Sequence, residues 1–97
     1  MSLEVFTFLF LHALCNAKAE TTVMMLSEAK MCTENFDRLK ITLHPNYTVD
    51  QFSALDPSQR AKLSVEAYEY YTAWIKENSE VYEKLTSSAK LMISAGM

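Results

Sequence analysis

Residues 3–39 read LEVFTFLFLHALCNAKAETTVMMLSEAKMCTENFDRL, and this stretch decides the fold class. Its apolar side chains recur every seven residues, with a second apolar row between them, which is typical of a helix that packs along its whole length. The phase of the pattern does not slip over residues 16–22, where helix propensity is weakest. We therefore predict one continuous helix over residues 3–39, with Ser2 as its N-cap.

The second half of the chain carries clearer boundary signals. Pro45 ends the first helix near residues 41–44, because proline disfavours helical geometry in the residue before it. A short helix over 49–55 opens with a capping box formed by a threonine and a glutamine. The tetrapeptide 56–59, Asp-Pro-Ser-Gln, supplies an N-cap, a proline at the first helical position and a second capping-box glutamine. It predicts a last helix over 57–93.

The composition agrees with few and long elements. The chain has 97 residues with one glycine and two prolines, so it can form few turns. We predict a single all-α domain over residues 1–97, in which two long helices pack antiparallel and are joined by a loop with a short helix. The net charge of −3 disfavours the nucleic-acid backbone as a partner.

The apolar run at residues 5–15 resembles the core of a secretory leader, and residues 17–19, Ala-Lys-Ala, resemble a signal-peptidase site. If the chain were cleaved there, it would enter the secretory pathway, and residues 46–48, Asn-Tyr-Thr, would become a glycosylation sequon. However, residues 1–4 contain no lysine or arginine, and the run falls short of the roughly 20 residues that span a bilayer. We expect the segment to be retained and the protein not to enter the membrane.

Cys15 and Cys32 both fall within the apolar pattern of the first helix. On one continuous helix they would lie about 25 Å apart, which is too far for a disulfide. We therefore expect two free thiols that act as small apolar side chains, as is usual in a reducing compartment. This reasoning predicts a cytoplasmic protein.

The length of the predicted helices indicates an assembly of several chains. Each helix of about 37 residues would be about 55 Å long, which is too elongated for a compact domain of this size. We expect a homo-oligomer, such as a dimeric four-helix bundle, with an interface that includes Val5, Phe6, Leu9, Phe10 and Leu14. The alternative is a break in the first helix that folds the chain into a compact monomer of three or four helices.

The sequence contains no catalytic or metal-binding motif. Its single glycine lies at position 96, so it has no phosphate-binding loop, and neither His-Glu-x-x-His nor Cys-x-x-Cys occurs. His12 and Cys15 are three residues apart and share a helical face, but no second pair at matching spacing accompanies them. We expect His12 to be a packing residue, and we predict no enzymatic activity, no cofactor and no metal site.

The connection between the helices gathers the candidate binding residues. In an antiparallel hairpin, basic and aromatic side chains converge on the N-terminus of the last helix, where free amides and the helix dipole favour anions. The candidates are Arg38, Lys40, His44, Tyr47, Arg60 and Lys62, together with Tyr70 from a nearby aromatic run. Acidic neighbours make an ordinary charged surface the competing interpretation.

These observations favour a non-enzymatic helical protein that binds and modulates another macromolecule, such as a small regulator or inhibitor encoded by a phage or mobile element. Its expected partner is a protein. One alternative is an oligomeric protein that sequesters an anionic small molecule or nucleotide at the basic cluster. Another is a structural subunit of a larger assembly, which would share the same sequence features.

Overall fold

The computed structural model describes residues 3–96, and this part of the chain is all-α with no strand. Its five helices are α1 (Leu3–Thr21), α2 (Leu26–Leu43), α3 (Val49–Ser53), α4 (Pro57–Glu77) and α5 (Ser79–Ser94). The all-α prediction is confirmed. The predicted N-cap Ser2 lies outside the described residues.

The first predicted helix is broken in its middle. Residues 22–25 form a connection in which Met25 has extended backbone geometry (φ −67°, ψ 152°). The β-branched run Thr21, Thr22 and Val23 leads into this connection, where side-chain crowding lowers helix propensity. The prediction of a continuous helix over 3–39 is therefore wrong. The weak helix propensity at the end of residues 16–22 marks the boundary between α1 and the connection, although the apolar pattern continues across it.

The last predicted helix also breaks, at Asn78. The backbone of this residue leaves helical geometry (φ −124°, ψ 38°), and its side-chain amide donates to the carbonyl of Trp74 (2.9 Å). Asparagine competes in this way with the backbone hydrogen bonds of a helix. The start of the helix is as predicted, because Asp56 and Gln59 form the capping box that precedes α4.

The two breaks make the molecule compact. Its principal extents are 39 × 32 × 19 Å, and the radius of gyration of its Cα atoms is 13.8 Å. A compact domain of 100 residues has a radius of gyration of about 13 Å. The structure therefore matches the alternative of a broken first helix, and it contradicts the prediction of two helices about 55 Å long.

Helix α1 lies between α2 and α5, and α4 packs on the other side of α2. α1 and α2 form an antiparallel hairpin, whereas α5 runs parallel to α1. Val5 and Leu9 of α1 share one cluster with Leu85, while Ala13 and Ala17 meet Ala89 one helical turn further along α5. These alanines let the two helix backbones approach closely.

The hairpin turn brings the two cysteines together. Cys15 and Cys32 form a disulfide with a Cα–Cα distance of 5.9 Å, and no free cysteine remains. The prediction of free thiols is wrong, because it assumed that both residues lay on one straight helix. Lys18 and Glu28 form an ion pair across the same hairpin, closer to the turn.

The residues predicted to form an oligomer interface are mostly covered by the chain itself. Val5 and Leu9 are buried in the core, and Phe10 and Leu14 pack partly against it. Phe6 stays 40% exposed. The chain itself therefore covers four of these five residues in whole or in part. Within residues 3–96, no helix combines the length and apolar character that crossing a bilayer requires.

Candidate functional site: a groove between α2, α3 and α4

The predicted binding residues divide between two faces of α4. Arg60 lines a groove against α2 and α3 together with Ser64, which follows one helical turn later. Lys62 lies two positions from Arg60, about 200° away around the helix, so it cannot reach the same groove. Glu66 and Tyr70 follow Lys62 at intervals of four residues and share its face. The cluster expected from the sequence is therefore two separate surfaces.

The groove has a volume of about 770 Å³, and its lining from three helices mixes apolar with polar and charged side chains. The apolar side chains that line it include Phe36 from α2, Val49 and Phe52 from α3, and Ala61 from α4. Phe52 is held in place because it is also part of a buried cluster with Ile41, Leu63 and Ala67. The lining is thus a continuation of the core to the surface.

Lys40 lines the groove but is committed to holding α2 against α4. Its side chain is only 10% exposed, and its Nζ donates to Ser64 Oγ (2.5 Å) and pairs with Asp37 (3.3 Å). Ser64 Oγ in turn donates to Asp37 Oδ1 (3.0 Å), which closes the network. The Lys40 ammonium also lies 4.6 Å from the ring centroid of Phe36. This buried charge is therefore fully partnered.

Arg38 and Arg60 carry the free positive charge of the groove. The guanidinium of neither residue forms a hydrogen bond or an ion pair with a described residue. With Lys40 and Asp37 neutralising each other, two arginines and Glu34 remain as charged lining, which gives a net charge of +1. The two arginines come from α2 and α4, so the positive charge stands on both walls of the groove.

The other face of α4 surrounds His44, whose side chain is 1% exposed. The amide of Asn46 donates to its Nδ1 (3.0 Å), so the ring proton lies on Nε2, which donates to Glu66 (3.2 Å). The rings of Tyr47 and Tyr70 pack around the imidazole at centroid distances of 5.2 and 4.7 Å. Both ring nitrogens are engaged, so His44 ties the turn after α2 to α4 and holds no free base.

His12 has the packing role expected of it. Its ring stacks on Phe36 at 4.3 Å and meets the edge of Tyr71 at 5.9 Å. Burial, and next the positive charge of Lys40, lower the pKa of His12 below its ordinary value. Burial also raises the pKa of the Tyr71 hydroxyl, and the neighbouring hydroxyl of Tyr82 raises it further. Among the described residues, no three His, Cys, Asp or Glu side chains are grouped to hold a metal ion.

Sequence reasoning missed an apolar surface at the turn between α1 and α2. In this tip, defined as residues 22–26, Val23 is 98% exposed and Leu26 is 87% exposed. On a continuous first helix, Leu26 would instead widen the apolar stripe that faces the core. The signal that could have revealed the tip was the run of β-branched residues at its start.

No protein-family model, curated protein or solved structure matches this chain. The groove and its charges therefore carry the functional argument alone.

Proposed function

We propose that the protein is a non-enzymatic interaction protein that binds an acidic, amphipathic segment of another protein in the groove between α2, α3 and α4. The observation that carries this proposal is the pair of unpartnered guanidinium groups, Arg38 and Arg60, on opposite walls of a groove that apolar and polar side chains line together. Arginine binds carboxylates through two parallel hydrogen bonds, and such charge-assisted bonds are among the stronger polar contacts in proteins.

The lining of the groove supports a peptide segment as the ligand. Phe36 and Val49 offer apolar contact area in the groove, which suits a segment with apolar residues on one side and carboxylates beside them. A nucleotide would be better served by a tyrosine next to the arginines. Tyr47 and Tyr70 instead pack around His44 on the other face of α4. The sequestration of a small anion is therefore the weaker alternative.

The predicted homo-oligomer and structural subunit stay predictions. The chain covers most of the predicted interface residues itself, and the exposed apolar side chains open to self-association include Leu3, Phe6 and the tip at residues 22–26. This surface does not include the groove residues. Self-association and groove binding can therefore be separated by mutation, because Leu26→Ser would weaken the former and leave the latter unchanged.

The test uses ¹⁵N-labelled protein titrated with a synthetic acidic amphipathic peptide and with the same peptide in which glutamine replaces each glutamate. We expect amide shifts concentrated on the groove walls with the acidic peptide only. Replacing both arginines by glutamine should weaken binding at least about tenfold, because hydrogen bonds to charged groups contribute about 1.5–3 kcal/mol each. The matched control is Lys62→Gln, which removes an exposed charge from the other face of α4.

Equal binding of the acidic and neutral peptides, or equal losses in the arginine and Lys62 variants, would contradict the proposal. A titration with ATP serves as the comparison for the small-anion alternative. Groove shifts with ATP that exceed those with the peptide would favour sequestration of a nucleotide instead.

A further inference from the structure

We infer that Asn46 accepts an N-linked glycan when the chain folds in an oxidising compartment of the secretory type. Residues 46–48 read Asn-Tyr-Thr, which is an acceptor sequon because the middle residue is not proline. A sequon alone is a weak signal. Two independent features of the structure make this one specific.

The first feature is the position of the sequon in the fold. Asn46 lies in the connection between α2 and α3, and all three sequon residues are exposed. The backbone amide of Asn46 is used by His44, but its side-chain carboxamide makes no hydrogen bond with any described residue. A glycan attached to Nδ2 would therefore break no contact of the fold and would project from a surface connection.

The second feature is the disulfide between Cys15 and Cys32. Structural disulfides form and persist in oxidising compartments such as the lumen of the endoplasmic reticulum, and they are rare in the cytosol. N-linked glycans are added in that same lumen. The expectation of a cytoplasmic protein depended on free thiols, so it loses its basis, and the bond and the sequon point to the same compartment.

Glycosylation of the folded chain requires that α1 is not removed as a leader. Cleavage after residue 19 would remove Cys15 and the buried Leu9, which is 1% exposed. The described fold therefore needs α1 to be retained. The inference applies to the chain with α1 in place, and entry into the lumen must leave residues 3–21 intact.

The transfer step has a defined chemistry. Nδ2 of Asn46 forms a bond to C1 of the first sugar of an oligosaccharide carried on a lipid pyrophosphate. The bond between C1 and the pyrophosphate oxygen breaks, the lipid pyrophosphate leaves with the electron pair, and the carboxamide loses one proton. In the folded chain, Thr48 Oγ1 accepts from the amide of Gln51 (3.1 Å) as the cap of α3. This hydroxyl belongs to an exposed residue and keeps its own proton to donate.

The experiment expresses the full chain in a eukaryotic cell behind a cleavable leader placed ahead of residue 1. The intact mass of the secreted protein is measured before and after treatment with peptide-N-glycosidase. We expect the mass of one glycan in most of the secreted protein, lost on treatment, with the disulfide formed. Asn46→Gln should abolish the added mass.

Thr48 offers matched controls that preserve folding. Thr48→Asn destroys the sequon but keeps a favourable N-cap side chain, so we expect a folded protein without the glycan. Thr48→Ser keeps both the sequon and the cap, so we expect the glycan to remain. Secretion of the wild-type chain with its disulfide formed but without a glycan would overturn the inference, as would an added mass that persists in Thr48→Asn.

Discussion

The molecule contains two helix breaks that are held in different ways. At residues 22–25 the chain reverses, and the helices on either side are joined by the Cys15–Cys32 disulfide and the Lys18–Glu28 ion pair. At Asn78 the chain changes direction through one residue, and α4 and α5 have little contact beyond it. There, one side-chain hydrogen bond to Trp74 is the local support.

The difference shows where each break gets its stability. The first break is fixed by bonds that its own two helices make. The second is fixed at a distance, because α5 reaches α1 and buries Ala89 against Ala13 and Ala17. The position of α5 therefore depends on the tight α1–α5 contact more than on the geometry of Asn78.

The largest expected effect comes from removing the disulfide at the first break. We expect the double replacement of Cys15 and Cys32 by alanine to lower the free energy of unfolding by about 3 kcal/mol, since a loop of about this length is closed by the bond. Urea denaturation of the variant and of the reduced wild-type protein measures the loss, and the two should agree. A loss below about 1 kcal/mol would mean that the first break is not covalently fixed.

The second expected effect tests the α1–α5 contact. Ala17 is 3% exposed and faces α5, so Ala17→Leu should overpack the contact and cost about 1–3 kcal/mol of unfolding free energy. Ala19→Leu is the matched control, because Ala19 is exposed on the same helix. Hydrogen exchange should show loss of protection in α5 before α2. Equal stability of the two variants would contradict the claim that the α1–α5 contact fixes the second break.

The smallest effect concerns His12 of α1. Its ring packs on Phe36 of α2, which follows the first break, and on Tyr71 of α4, which precedes the second. Because burial and Lys40 lower the pKa of His12 in the folded state, the unfolded chain binds more protons on acidification. The His12 contribution should be complete above about pH 6.5 and fall as the pH drops toward the folded-state pKa.

His12→Gln should therefore make stability less dependent on pH in that window, as measured by urea denaturation at a series of pH values. The comparison between the variant and the wild type isolates His12, because His44 is present in both. Parallel pH profiles for the two proteins would show that His12 is not buried as described.

Sequence reasoning was successful where a boundary had its own chemical signal. The Asp56 capping box and the Thr48 capping box are both present, and they place the starts of α4 and α3. The breaks at residues 22–25 and at Asn78 contain neither glycine nor proline. At residues 22–25 a continuous apolar pattern and weak local propensity disagreed, whereas at Asn78 the apolar pattern of the last helix was itself interrupted. Contacts between distant helices decided the outcome at both places.

The placement of the candidate site residues was predictable in part. The sequence correctly brings Arg38 and Lys40 near Arg60, and the structure places all three on one groove. Lys62 could have been excluded from the spacing alone, since residues two apart on a helix point in different directions. The partnering of Lys40 with Ser64 and Asp37 depends on the packing of α2 against α4, so no local pattern shows it.

The reversal of the chain between residues 15 and 32 is the central claim, and counting thiols tests it most directly. The protein is refolded in a glutathione redox buffer, unfolded without reductant in the presence of iodoacetamide, and weighed as an intact monomer. We predict no alkyl group before reduction and two after it, with Cys15 and Cys32 linked within one chain. Two alkyl groups added without reduction would contradict the Cys15–Cys32 bond that joins the two helices of the hairpin.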